Sequence, residues 1–213
     1  MKVTKLGHSC LLIEERDTRI ITDPGVFTEE SRIFDLRDIS GILITHEHKD
    51  HCHVPYVREI VLKNPNAQIF SNKSVCEILS SEGIVSSALE EGEKVLVSDI
   101  LIEGFGETHA TIHKEIPSVR NVGFLIGEKL FFSGDAFVLP SRSVSVLALP
   151  IAAPWAKISE VVEYARSVAP KKCFPIHDAI LARPEPFYGT AEKLLTEKGI
   201  EFFIPRVGEE FEV

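Results

Sequence analysis

The sequence predicts a mixed α/β fold in which two sheets carry helices on their outer faces. Three observations lead there. Short apolar runs rich in Val, Ile, Leu and Phe recur along the 213 residues, each bounded by turn residues, as strands require. Helical spacing of apolar positions appears in fewer places. The order is strands, then helix alternating with strand, then strands again, then helix, strand and helix, which suits helices layered on sheets.

Strands are expected at residues 3–6, 10–14 and 19–22, followed by an apolar run at 41–45. Val54, Val57, Ile60 and Val61 fall on one helical face, and Asn64-Pro65 stops that helix. A strand at 68–71 leads to a second helix marked by Val75, Ile78 and Leu79, before Gly83. Strands at 94–97, 100–105, 122–126, 129–132 and 144–149 come next. Ile158, Val161, Val162, Ala165 and Val168 make the clearest amphipathic stripe, closed by Pro170; it reads as core packing, not as a partner surface. A strand at 172–176, a helix through Ala191, Leu194 and Leu195 ended by Gly199, and a strand at 201–204 complete the chain. Residues 10–23 and 123–135 echo each other: each reads as a hairpin that ends in an aspartate.

The length suits one domain spanning residues 1–213. No apolar run reaches the roughly 18 residues of a membrane span. The first residues enter a strand pattern directly, without an apolar signal core, so a cytoplasmic location is expected. The net charge of −9, with scattered basic residues, disfavours nucleic acid and favours a small-molecule substrate. Cys10, Cys52, Cys76 and Cys173 form no Cys-x-x-Cys pair; Cys10, Cys76 and Cys173 read as core residues, and Cys52 stands out only by following His51.

The chemistry concentrates in one stretch. The apolar residues Ile42, Leu43 and Ile44 run out into Thr45-His46-Glu47-His48-Lys49-Asp50-His51. Histidines at i and i+2 of an extended chain point the same way, so His46 and His48 can share one metal ion. Asp50 and His51 follow at a turn and can reach a second. Imidazole and carboxylate donors suit zinc, and also iron or manganese.

This motif resembles the signature of the metallo-β-lactamase superfamily. Leu6-Gly7-His8-Ser9 and Ile21-Thr22-Asp23-Pro24 look like the opening hairpin of its lactonase-like and phospholipase-D-like branch. Thr108-His109, Ser133-Gly134-Asp135 and Pro175-Ile176-His177 look like its later ligand segments, in the expected order. The stretches 109–116, 121–126, 134–140 and 147–155 are also similar to small bacterial hydrolases of that superfamily. The resemblance covers nearly the whole chain. It implies a four-layer αβ/βα sandwich and two divalent ions, zinc by preference. It also implies His46, His48 and His109 on one ion, Asp50, His51 and His177 on the other, and Asp135 bridging them. His113 competes with His109 for the third histidine position; His109 is favoured because it comes first after the strand at 100–105. His113 is otherwise a substrate contact or a surface residue.

A site of this kind hydrolyses its substrate with a metal-bound hydroxide, and Asp50 would orient or deprotonate that nucleophile. A lactone, ester or phosphodiester is the expected substrate. Asp23 is the candidate to orient a ligating histidine from behind, with a turn-forming Asp-Pro as its other reading. His8 is expected to line the pocket. Trp155 either walls it or packs in the core. Arg183 and Tyr188 follow His177 and are weak candidates for an anionic group. His53 reads as a solvated residue at a helix start. A metal-binding protein without activity is the competing class, and the complete ligand set argues against it. The absence of a basic RNA-gripping arm opposes a tRNA nuclease. The lack of a C-terminal helical domain opposes a thioester hydrolase of the glyoxalase II type. A β-lactamase would need a signal peptide. A flavodiiron oxidoreductase would carry Glu at position 48 and a flavin domain.

Overall fold

The computed structural model describes residues 1–213. Two seven-stranded sheets face each other. In spatial order the first contains β14 (Glu210–Glu212), β1 (Lys2–Gly7), β2 (Cys10–Glu15), β3 (Thr18–Thr22), β4 (Gly41–Ile44), β5 (Gln68–Ser71) and β6 (Ser87–Ala88). The second contains β13 (Glu201–Phe202), β12 (Lys172–Ile176), β11 (Val146–Pro150), β10 (Leu130–Phe132), β9 (Gly123–Ile126), β8 (Ile100–Phe105) and β7 (Lys94–Val97). Each sheet is antiparallel at one side and parallel at the other: β1–β2–β3 and β8–β9–β10 are meanders, and β3–β6 and β10–β13 are parallel runs.

The alternation of side chains along each strand builds four layers. Leu43 faces inward and packs with Leu11, Ile13, Phe124, Phe132 and Phe174 in the cluster between the sheets. Its neighbours Ile42 and Ile44 face outward, against Val57 and Ile60 of α2 (Val54–Lys63) and Val75 and Leu79 of α3 (Lys73–Ser81). On the other sheet, Phe131, Leu147 and Leu149 face outward to Val161 and Ala165 of α4 (Ile158–Val168) and Ala191 and Leu195 of α5 (Glu185–Thr196). Both faces of the central strands are therefore covered, which is why their sequences read as unbroken apolar runs. Each fully buried Phe contributes about 2–3 kcal/mol of apolar burial. This is the expected fold class, two mixed sheets with outer helices. No helix is long and apolar enough to cross a membrane.

Three elements lie outside the sequence reading. Helix α1 (Glu30–Phe34) is five residues long and buries only Ile33, too short for any periodicity to show. Strand β6 has two exposed residues, and β14 pairs at the sheet edge with β1 over three. Ile78 also differs: it lies at the surface, while Val75 and Leu79, four apart, carry the buried face of α3. The strand expected at 201–204 stops at Phe202, and the one at 144–149 runs from Val146 to Pro150.

The site follows from the topology. β1, β3 and β4 run in one direction in the first sheet, and β8, β10 and β12 run in one direction in the second. The segments that leave their C-terminal ends carry His8, Asp23, residues 45–51, His109, Asp135 and His177.

Candidate metal centre

Eight of the side chains singled out in the sequence meet at this shared edge. His46, His48 and His109 bring one ring nitrogen each into a common group; His51 and His46 do so with a carboxylate oxygen of Asp135; Asp50, His51 and His177 form a third group with His8. Within each group the donor atoms lie within 4.8 Å of one another. Asp135 Oδ2 is 3.0 Å from His177 Nε2 and 3.5 Å from His109 Nε2, and its Oδ1 is 3.2 Å from His51 Nε2. Asp50 Oδ2 lies 3.6 Å from His177 Nε2 and 3.8 Å from His51 Nε2. His46 Nε2 and His48 Nδ1 face each other at 3.1 Å. Two nitrogens bound tetrahedrally to one zinc at about 2.0–2.1 Å sit roughly 3.3 Å apart, so these spacings suit shared ions.

The outer nitrogens of the rings are tied down. His51 Nδ1 bonds to Asp23 Oδ2 at 2.6 Å. Asp23 also accepts from the Thr45 backbone N–H at 2.7 Å and from its hydroxyl at 2.8 Å. That hydroxyl oxygen lies 3.0 Å from His46 Nδ1. One buried carboxylate therefore orients His51 directly and His46 through Thr45. The Asp-Pro turn and the orienting role are compatible: Asp23 has a left-handed backbone (φ 37°) and no exposed surface. His109 Nδ1 bonds to the Ala110 carbonyl at 2.5 Å and His177 Nδ1 to the Ala152 carbonyl at 2.6 Å.

The inner atoms are left without partners. His51 Nε2, His109 Nε2, His177 Nε2 and Asp135 Oδ1 are buried and make no hydrogen bond. Electrostatics in the cluster follow the same geometry. Burial pushes the His46 imidazole well below its usual range. Burial would do the same to His51, but the charges of Asp135 and Asp23 overcome it and hold this ring well above that range. At Asp135 burial opposes ionisation, yet the charge of His51 and the adjacent His109 and His177 rings hold the carboxyl well below the usual carboxylate range.

His109 and His113 part company. His109 is buried among the other rings, whereas His113 is exposed and its Nδ1 accepts from the Glu115 backbone N–H at 3.2 Å. Trp155 reaches Asp135: its indole N–H donates to Oδ2 at 3.0 Å, and its ring meets His109 and Phe137 edge-on. Cys52 packs with the apolar residues under α2, and burial pushes its thiol up to about 12, far from thiolate chemistry at neutral pH. His53 stands before the first turn of α2, and Arg183 is exposed. Tyr188 bonds to Asp178, not to the site.

Sequence reasoning missed four supports. Asn121 accepts from the Asp135 N–H through Oδ1 at 3.0 Å and donates to the Ser133 carbonyl at 2.9 Å, closing the turn that presents Asp135. Asn72 caps α3 and donates to the Thr45 carbonyl at 2.9 Å. Only its place before a helix marked it as a cap. Thr45 is the third. The fourth is Lys5, buried with its ammonium on the Pro175 carbonyl at 2.9 Å and on Asp178, which fastens the loop beyond His177.

The fold and this edge define the class. The fold is similar to that of the metallo-β-lactamase fold protein YhfI from Bacillus subtilis, with a TM-score of 0.76 at 14% identity, covering 100% of this chain and 99% of that one. Residues 2–177 match the model of the β-lactamase superfamily domain, and the chain belongs to that family. It is 38% identical to Protein Rv0786c from Mycobacterium tuberculosis over 92% of this chain and 93% of that protein. It is 25% identical to a UPF0173 metal-dependent hydrolase from Alkaliphilus metalliredigens, over 88% and 91% respectively.

Proposed function

We propose that this protein is a metal-dependent hydrolase that holds two divalent ions, zinc in preference to manganese or iron. One observation carries the reading. The unpartnered inner atoms of His51, His109, His177 and Asp135 converge on the same small volume as the inner nitrogens of His46 and His48. Leaving a buried polar atom unpaired costs about 1–3 kcal/mol, and cations at this point would remove that cost. On this reading His46, His48 and His109 hold one ion, Asp50, His51 and His177 hold the other, and Asp135 touches both.

Such ions, when bound, acidify a water and polarise the bond that it attacks. The rest is the work of the chain. Asp23, Thr45, Ala110 and Ala152 occupy the outer ring nitrogens, which leaves the inner lone pairs free to bind. Asp50 orients the attacking water and accepts its proton. Trp155 and Ile116 offer apolar surface beside His109 for the substrate, a small lactone, ester or phosphodiester.

The test is metal content by plasma mass spectrometry, on untagged protein purified without chelators. Close to two ions per chain, with hydrolysis of a lactone or phosphodiester panel that a chelator abolishes, is the expected result. No bound metal after reconstitution with zinc, manganese or iron would overturn the proposal.

A further inference from the structure

His8 stands among the candidate ligands but differs from them in one respect. Its ring is buried, 4.1 Å from the His177 ring and edge-on to Phe27. Its Nε2 lies 3.4 Å from Asp50 Oδ2 and has no closer partner. By position alone it would be a further ligand beside Asp50, His51 and His177.

The opposite edge of the ring decides otherwise. In His46, His51, His109 and His177 the Nδ1 atom faces an oxygen: a hydroxyl, a carboxylate or a backbone carbonyl. Each of those rings, when neutral, carries its proton outside and its lone pair inside. In His8 the Nδ1 atom faces a donor, the backbone N–H of Ala179 at 3.3 Å. A proton on Nδ1 would meet that N–H head-on. The single proton of the neutral ring therefore sits on Nε2, pointing into the site.

The arrangement is held from several sides. His8 has a left-handed backbone (φ 39°), and its carbonyl accepts from the His177 N–H at 3.1 Å. Asp178, which precedes Ala179, is pinned by Lys5 and by the Tyr188 hydroxyl at 2.5 Å. The Ala179 donor cannot turn away without breaking those contacts.

We propose that His8 is not a metal ligand but a positioning residue, an Nε2–H donor that holds the Asp50 carboxylate in place. The proposal rests on the metal-site reading above. With a proton on Nε2 the ring has no lone pair to give a cation, while Asp50 has an oxygen within its reach. His8 would act through Asp50, steadying the ion that Asp50, His51 and His177 share.

Long-range ¹H–¹⁵N correlation of the histidine rings reads the proton directly, in the metal-free and zinc-loaded protein. In the zinc-loaded protein His8 should show a protonated Nε2 and a bare Nδ1, the reverse of His51, His109 and His177; in the metal-free protein its Nδ1 should still be bare. Zinc titration of two variants adds the second arm. His8→Phe keeps a buried ring without the donor, and His8→Gln restores an N–H near the same place. Both should bind as many zinc ions at saturation as the parent. The weaker ion should dissociate about 10–100-fold more readily from His8→Phe, with recovery in His8→Gln. A protonated Nδ1, an Nε2 bound to zinc, a lost ion in either variant, or unchanged affinity in His8→Phe would each overturn the proposal. If the parent binds no zinc at all, the hydrolase reading fails instead, and the ring proton of His8 is still measured in the metal-free protein.

Discussion

The two sheets repeat one pairing pattern but load it differently. In the first, the segment after β4 carries His46, His48, Asp50 and His51 within six residues. In the second, the segment after β11 carries Trp155 and no imidazole or carboxylate of this set, while His109, Asp135 and His177 leave the ends of β8, β10 and β12 one at a time. The sharpest contrast is between two aspartates in matching places. Asp23 follows β3 and Asp135 follows β10, each after a hairpin. Asp23 is wrapped by three donors from Thr45 and His51. Asp135 receives the Trp155 indole on Oδ2 and has a free, buried Oδ1. The same residue in the same place of the pattern acts as an anchor in one half and faces the site in the other. Its neighbours make the difference.

That contrast breaks most visibly by mutation. Asp135→Ala should lower bound zinc from close to two ions per chain to one or none, measured by mass spectrometry after reconstitution. Asp23→Asn should keep the stoichiometry and weaken affinity about 10–100-fold, because it loosens the orientation of His51 and His46 but removes no ligand. Equal losses of bound metal in both variants would erase the distinction.

The turn before Asp135 gives the next effect. Gly134 has φ 62°, and a Cβ there would come within 2.4 Å of Asn121 Oδ1 and 2.6 Å of Thr45 Cβ. Gly134→Ala should cost about 2–3 kcal/mol in denaturant unfolding, from backbone strain and a clash with two braced side chains. At Gly83, also at positive φ but with open space around it, alanine should cost about 1 kcal/mol. A Gly134 variant no less stable than the Gly83 one would contradict the packing described.

Acidity separates the halves more gently. Burial alone would lower the His177 imidazole, but the neighbouring Asp135 and Asp50 carboxylates push it up to about 9 in the metal-free protein, from an ordinary 6.5. A folded value above the unfolded one stabilises the metal-free fold below pH 6.5, and that contribution is lost as pH rises through about 9. Zinc needs the neutral ring, so its affinity should climb between these limits and level off above them. Chelator competition across that range checks the sign; affinity that falls with rising pH would refute it.

The smallest effect belongs to Trp155, the one tryptophan in the chain. Its fluorescence should change when zinc binds, since its N–H rests on Asp135. Trp155→Phe keeps the aromatic wall and removes a hydrogen bond to a charged group, worth about 1.5–3 kcal/mol at most. The bond is made with and without zinc, so most of that loss cancels and zinc affinity should shift by tenfold or less. A fluorescence signal blind to zinc would place the indole away from the carboxylate.

Legibility in the sequence followed the range of the interactions. The outward Ile42 and Ile44 and the inward Leu43 were readable as a buried strand, because apolar periodicity is local. The cluster from His46 to His51 was readable for the same reason, since extended-chain geometry sets the direction of neighbouring side chains. In the sequence His109 is favoured over His113 only because it comes first after the strand at 100–105. A turn closed by the Ile116 N–H on the His113 carbonyl sends one ring inward and the other to solvent. Asn121 and Lys5 gave no signal, as their partners lie 12 and more residues away.

By itself the sequence determined the layers of the fold and which side chains carry donor chemistry, because hydrophobic pattern and residue type are properties of short stretches. Only the tertiary structure decided what each of those side chains faces. Asp23 is enclosed by donors while Asp135 takes one donor and turns its other oxygen into the site, and His8 turns its proton inward where His109 turns it out. Those differences rest on hydrogen bonds between segments brought together by two separate sheets, such as Thr45 with Asp23 and Ala179 with His8, and no local pattern encodes them.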